Sequence, residues 1–170
     1  MTYSTLSPLA LMRASALIAG ALALSLPSMA QAQFRQIIPN DAARCQPGKG
    51  PGVRVQIEGI KEATGTIRVQ LYRGIKADWL QSGRWLHRIE APARAGTMSF
   101  CMPAPQAGTY AIAVRHDVNN NGKTDLREDG GGMSNNPSIN IFNLGRPSYT
   151  RTAFEIGEGV SSITINMRYM

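Results

Sequence analysis

The sequence predicts an all-β fold: an antiparallel β-sandwich, immunoglobulin-like or transthyretin-like, with about seven strands and one long loop. Three observations carry this. From Val53 onward, apolar residues recur at every second position in short runs, the period of a half-buried strand. Clusters of Gly, Pro, Asn and Ser punctuate the runs where chain reversals are needed. Each run is apolar on one face only, so a second sheet must cover it. A closed barrel would give the same signals and stands as the alternative.

The N-terminus comes first in chain order. Residues 1–32 read as a cleaved signal peptide, with an apolar run from Ala14 to Leu26 behind Arg13 and an A-x-A type site at Ala30-Gln-Ala32. Translation from Met12 would place a basic residue at once before that run. The run is shorter than the ~20 apolar residues of a spanning helix, so no transmembrane segment is expected in the mature chain. The protein is expected to be exported, periplasmic or extracellular. About 138 residues remain after processing, enough for one core. Residues 33–52 form an extended N-terminal segment, and residues 53–170 a single sandwich domain.

Val53, Val55 and Ile57 alternate with Arg54, Gln56 and Glu58, and Ile67, Val69 and Leu71 alternate with Arg68 and Gln70. These are the first two strands. Gly74 to Leu86 breaks the alternation and reads as a short helix or an Ω-type loop, with Trp79 and Trp85 covering one end of the core. Met98, Phe100 and Met102 make the next strand, followed by a Pro- and Gly-rich turn and the strand of Tyr110, Ile112 and Val114. The stretch from Asp117 to Ser148 has no sustained periodicity and is read throughout as loop. Phe154 and Ile156 and then Ile163, Ile165, Met167 and Tyr169 flank Gly157-Glu-Gly159 and read as a terminal hairpin.

Cys45 and Cys101 are the only cysteines; export favours them as a disulfide pair with no thiol left over, and a pair of buried or reactive free thiols is the competing reading. Without Arg13, 17 Lys and Arg face 11 Asp and Glu, a net charge of +6. The excess is spread along the chain and lacks interleaved aromatics, which argues against nucleic acid as a partner and for solubility with mild attraction to anionic surfaces.

The sharpest motif lies in the long loop. The twelve residues from Asp117 to Glu128 follow the spacing D-x-[DN]-x-[DN]-G-x5-E. Calcium takes about six to eight hard oxygen ligands, and this spacing offers side-chain oxygens at Asp117, Asn119, Asn121 and Asp125. The Lys123 carbonyl stands at the seventh position, Glu128 at the twelfth, and Gly122 where the loop must turn. Asp, Asn and Gly are also the residues of metal-free Asx turns, so a loop held by its own hydrogen bonds is the competing reading. His116 is in phase with the apolar face and is expected to be structural, pinning the loop's first turn. The adjacent carboxylates Glu128 and Asp129 are read as solvated.

The run Gly108-Thr-Tyr110-Ala-Ile-Ala-Val-Arg-His116-Asp117-Val-Asn119-Asn-Asn121-Gly122-Lys123-Thr-Asp125, with Ser134-Asn135-Asn136 beyond it, resembles the DUF2141 family of exported bacterial proteins. The resemblance implies export and a small β-sandwich, and it brings no activity. The chain departs from the family after Asp125, where Leu126 to Met133 replaces a longer segment, so the resemblance supports Glu128 least.

No nucleophile elbow, zinc-protease helix or phosphate loop is present. The functional expectation is a non-enzymatic binding or accessory module with a calcium loop. Its partner would be an envelope polysaccharide or a surface protein, with Arg115, Arg127, Arg146, Tyr149 and the tryptophans as contacts. Two alternatives stand beside it: a small metal-dependent hydrolase using His116, Asp117 and Asp125, and a metal-free spacer domain.

Overall fold

The structure, a computed structural model, describes Met1 and residues 34–139, 143 and 145–170. Apart from Met1, the signal-peptide segment therefore lies outside the described residues. Ten strands follow in two sheets: β1 (Gln36–Ile37), β2 (Gly52–Ile60), β3 (Thr66–Arg73), β4 (His87–Pro92), β5 (Gly96–Pro103), β6 (Gly108–Asp117), β7 (Gly130–Met133), β8 (Phe154–Ile156), β9 (Val160–Asn166) and β10 (Arg168–Tyr169). A short helix α1 (Tyr149–Thr152) precedes β8. The larger sheet runs β1-β4-β3-β6-β7-β10, with β8 on the early half of β6, and the smaller runs β5-β2-β9. The sheets do not close into a barrel, and the expected sandwich is what forms.

Alternation places the core. Val53, Val55 and Ile57 of β2, Phe100 and Met102 of β5 and Ile165 of β9 face Ile67, Val69 and Leu71 of β3, Ile89, Ile112 and Ile156. All are essentially without solvent contact. Each such side chain gives about 2 kcal/mol of apolar burial, set against the ordering entropy of its strand. A second apolar cluster, with Tyr72, Trp79, Trp85, Ala111, Ala113 and Met133, lies on the opposite face of the larger sheet. The tryptophans of the irregular Gly74–Leu86 segment therefore pad the outside of a sheet and do not cap an end of the core. Asp78, fully buried, holds this segment down by pairing with Arg73 and, at 2.7 Å, with Arg84.

Several expectations need correction. β8 and β9 do not form a hairpin: β8 pairs with β6 in the larger sheet, while β9 lies parallel to β2 in the smaller. Period-two alternation fixes the face a residue presents and leaves its strand partner open. The terminal run also divides at Met167, whose N–H donates to the Glu58 carbonyl before β10 joins β7. Within the stretch read as loop, Gly130–Met133 is a strand between β6 and β10. The N-terminal segment is not simply extended: its 3-10 turn Ala42–Cys45 is capped by Asp41 and bonded to β5 through the Cys45–Cys101 disulfide.

Candidate functional site

The loop that joins β6 to β7 starts at Asp117, which is 4% exposed at the end of its strand. Gly65 of the β2–β3 turn presses against this point. At its φ of +77°, an added Cβ would lie 2.1 Å from the Asp117 carbonyl oxygen, so only glycine permits the approach.

The side chains at alternate positions then turn inward. Asp117 Oδ2 accepts from Gly122 N–H at 3.0 Å and from the Arg115 guanidinium at 2.9 Å. Asn119 Oδ1 accepts from Asn121 N–H at 3.1 Å, and Asn121 Oδ1 from Lys123 N–H at 2.7 Å. These are Asx turns, and Gly122 at φ +76° supplies the reversal between them. The amide of Asn119 donates to Asp125 at 3.2 Å and to Glu128 at 2.9 Å, and that of Asn121 donates to Asp125 at 2.5 Å. Asp125 and Glu128 thus converge on one asparagine. The hydrogen bonds from Asn121 and Asn119, with the charges of Lys123 and Arg115, hold the Asp125 carboxyl below the usual range.

Asp117 Oδ1 is buried and accepts no hydrogen bond among the described residues. Nor, among those residues, do three His, Cys, Asp or Glu side chains gather as a metal cluster. Asn119 and Asn121 bond the Asp125–Glu128 pair, and Asp117 bonds Gly122 and Arg115, so any cation set here would mix carboxylate and amide oxygens.

Asp129 was misread from sequence. It is 6% exposed, and its two oxygens accept from Val118 N–H at 3.1 Å and Asp125 N–H at 3.0 Å, joining the two ends of the loop. Its place directly before β7 is the signal, visible only once that strand is recognised. Glu128 is the exposed member of the two.

His116 is fully buried, with both ring nitrogens engaged. Lys61 N–H donates to the Tyr169 oxygen at 3.0 Å, the tyrosine hydroxyl donates to Nδ1 at 2.8 Å, and Nε2–H donates to the Thr64 carbonyl at 2.6 Å. In its neutral form the ring therefore carries its proton on Nε2. The imidazole is structural, as expected, but it pins the β2–β3 turn and β10 instead of the long loop.

Ser134-Asn135-Asn136 is a staple. Ser134 Oγ donates to the Thr152 carbonyl at 2.6 Å and accepts from Ile112 N–H at 2.9 Å. Asn135 and Asn136 both take positive φ, and their amides reach the carbonyls of Ala153 and Thr164. One turn thus ties β6 to both sheets.

Of the surface contacts anticipated, Arg115 and Arg146 line a cavity on the outer face of the larger sheet, and Arg127 is exposed elsewhere on the loop. Tyr149 packs on the outer apolar cluster, and both tryptophans are buried there at 6% exposure. Among the described residues, no helix is long and apolar enough to cross a membrane.

No curated protein and no solved structure matches the chain. One family does, described as "Uncharacterized protein conserved in bacteria (DUF2141)", over residues 55–164. That range runs from β2 through the loop, the staple and β9, and the chain belongs to the DUF2141 family.

Proposed function

We propose that this protein is an exported, non-enzymatic binding or accessory module whose β6–β7 loop is set by calcium or a similar hard cation. The observation that carries the reading is Asp117: Oδ2 is saturated by Gly122 and Arg115, while Oδ1 is buried with no partner among the described residues. A buried, unbonded carboxylate oxygen is costly, and a cation would satisfy it. Asp125 and Glu128 would supply further carboxylate oxygens. The amide oxygens of Asn119 and Asn121 and the Lys123 carbonyl would complete the set. Arg115 offsets part of the charge of Asp117, which favours weak binding of the kind common in extracellular modules, with Kd about 10⁻⁴ to 10⁻³ M. Export is supported by the signal-type N-terminus and by the Cys45–Cys101 disulfide, a bond suited to oxidising compartments. The partner class remains an envelope polysaccharide or a surface protein.

A second reading has an observation of its own. The Asn119 and Asn121 amides already bond Asp125 and Glu128, so the loop is able to stand without a cation. The hydrolase reading loses its base, because both nitrogens of His116 are committed in a buried site. Thermal unfolding of the purified protein in chelator, then across a calcium series with magnesium as control, separates the two remaining readings. At a hundredfold excess of calcium over Kd, linkage adds about 2.7 kcal/mol, a clear rise in Tm. Asp125→Asn, at a half-buried position, should weaken the rise, and Asp117→Ala should abolish it. No calcium-selective rise by 10 mM, about ten times the weakest of these Kd values, overturns the proposal.

A further inference from the structure

The outer face of the larger sheet carries a ladder of directly opposed residues across five strands: Glu90, Arg68, Arg115, Gly131 and Arg168. Cross-strand partners share a face, so three arginines line up there around a residue with no side chain. An added Cβ at Gly131 would meet nothing within 4 Å. The gap is the floor of a cavity of about 500 Å³, also lined by Arg146. That volume is within the range of small-molecule sites.

The charges there are only partly neutralised. Arg68 pairs with Glu90 at 2.6 Å and Arg115 with Asp117 at 2.9 Å, while Asp129 is committed to two backbone N–H groups. Arg168 and Arg146 pair with no carboxylate among the described residues; the Arg146 guanidinium donates to the Leu80 carbonyl. The Nε of Arg115 is buried without a hydrogen-bond partner there. Gln70 and Thr124 also line the cavity, and Thr124 accepts from the Arg115 guanidinium at 3.1 Å; the remaining side chains of the lining are mainly apolar. Among the described residues, Leu126 at 45% and Met170 at 48% are two of the few large apolar side chains that are exposed, and both border this cavity, with Met133 and Leu80 beside them.

From this juxtaposition we infer that the cavity binds a small amphiphilic carboxylate, such as a free medium-chain acyl acid. Its head group sits over Gly131 between Arg115 and Arg168, and its tail lies against Leu126, Met133 and Met170. Guanidinium groups match a planar carboxylate. Flexible methionines accept tails of different lengths. Leu126 belongs to the loop read as a cation site and Arg115 pairs with Asp117, so binding is measured both in chelator and in calcium, and saturation is expected in each.

The test is calorimetric titration of the purified protein with decanoate, octanoate, decanol and acetate. Saturable one-to-one binding of decanoate is expected. Octanoate, two methylenes shorter, should bind about fifteenfold more weakly at ~0.8 kcal/mol per methylene. Decanol and acetate should bind far more weakly still. Gly131→Leu fills the floor from an open position and should abolish binding without loss of fold. Arg168→Glu, on an exposed side chain, should weaken binding about tenfold or more. Equal affinity for decanol, undiminished binding by both variants, or no saturation with millimolar decanoate would each overturn the inference. So would binding to phosphatidylglycerol vesicles in place of the free acid.

Discussion

Replacing Cys45 and Cys101 together by alanine tests what the disulfide does for the fold. The bridge joins residues 56 apart, from the 3-10 turn to β5. Removing that constraint frees the unfolded chain by an amount worth about 4 kcal/mol at room temperature on the chain-entropy account. Both cysteines are buried, so loss of their sulfurs adds up to ~1 kcal/mol of apolar burial. Serine would confuse the result by burying hydroxyls. The native segment keeps other ties: Arg54 donates to the Cys45 carbonyl at 2.7 Å, and Asn40 bonds both Ser99 and Cys101 of β5. The variant should therefore fold to the same structure. Urea unfolding followed by tryptophan fluorescence measures the cost. With m about 2 kcal/mol/M, a loss of 4–5 kcal/mol moves the midpoint down by about 2 M, and m itself should rise because the uncrosslinked unfolded chain exposes more surface. A loss under ~1 kcal/mol with unchanged m would refute the entropic argument and assign the anchoring to Asn40 and Arg54.

Two further predictions concern buried polar groups. His116→Leu strips partners from the Thr64 carbonyl and the Tyr169 hydroxyl and should cost about 3 kcal/mol, whereas Tyr169→Phe should cost about 1. A double-mutant cycle by chemical denaturation should return a coupling well above experimental error, and simple additivity would show that the His116–Tyr169 hydrogen bond contributes nothing. For Asp78, burial alone would raise the carboxyl's pKa, but the hydrogen bonds and charges of Arg73 and Arg84 outweigh it and hold it below the usual range. A depressed folded pKa stabilises above the unfolded value of about 3.9 and is lost as pH falls through the folded one. Asp78→Asn should therefore cost about 2 kcal/mol near neutrality, with the gap to the parent protein closing below about pH 4. A gap independent of pH would show that the ion pairs contribute little.

Much of this was legible in the sequence, for reasons that can be named. β2, β3, β5 and β6 set their large apolar residues at every second position, because each turns those side chains toward the opposite sheet, even where the outer face is covered as well, as on β6. The loop's inward side chains were legible because Asx turns and cation sites demand the same residues at the same spacing. β7 escaped because Gly130-Gly-Gly132 has almost no side chains to alternate, yet glycine is what its place requires. A Cβ at Gly130 would strike the Tyr169 ring, and one at Gly132 would strike Ile165. β4 begins at His87, directly after the tryptophan segment, and offers only Ile89 fully buried, too short a pattern to read. The roles of Asp78 and Asp129 escaped because both lie in irregular segments without periodicity, where the sequence does not say which carboxylate folds inward onto its near neighbours.

The parallel register of β2 with β9 bears on how the chain reaches this fold. Val55 and Ile163 lie side by side although more than a hundred residues separate them, while β2 and β5 meet across a much shorter interval. Contacts of such high sequence separation form late, after the closure entropy of the intervening chain has been met. Until β9 arrives, β2 keeps one hydrogen-bonding edge bare beside Val53, Val55 and Ile57, a template for pairing with another chain. β9 is thus the clasp of the domain. A chain cut before Val160 would be left with a permanently open apolar edge, and its fate would be aggregation more than simple loss of stability.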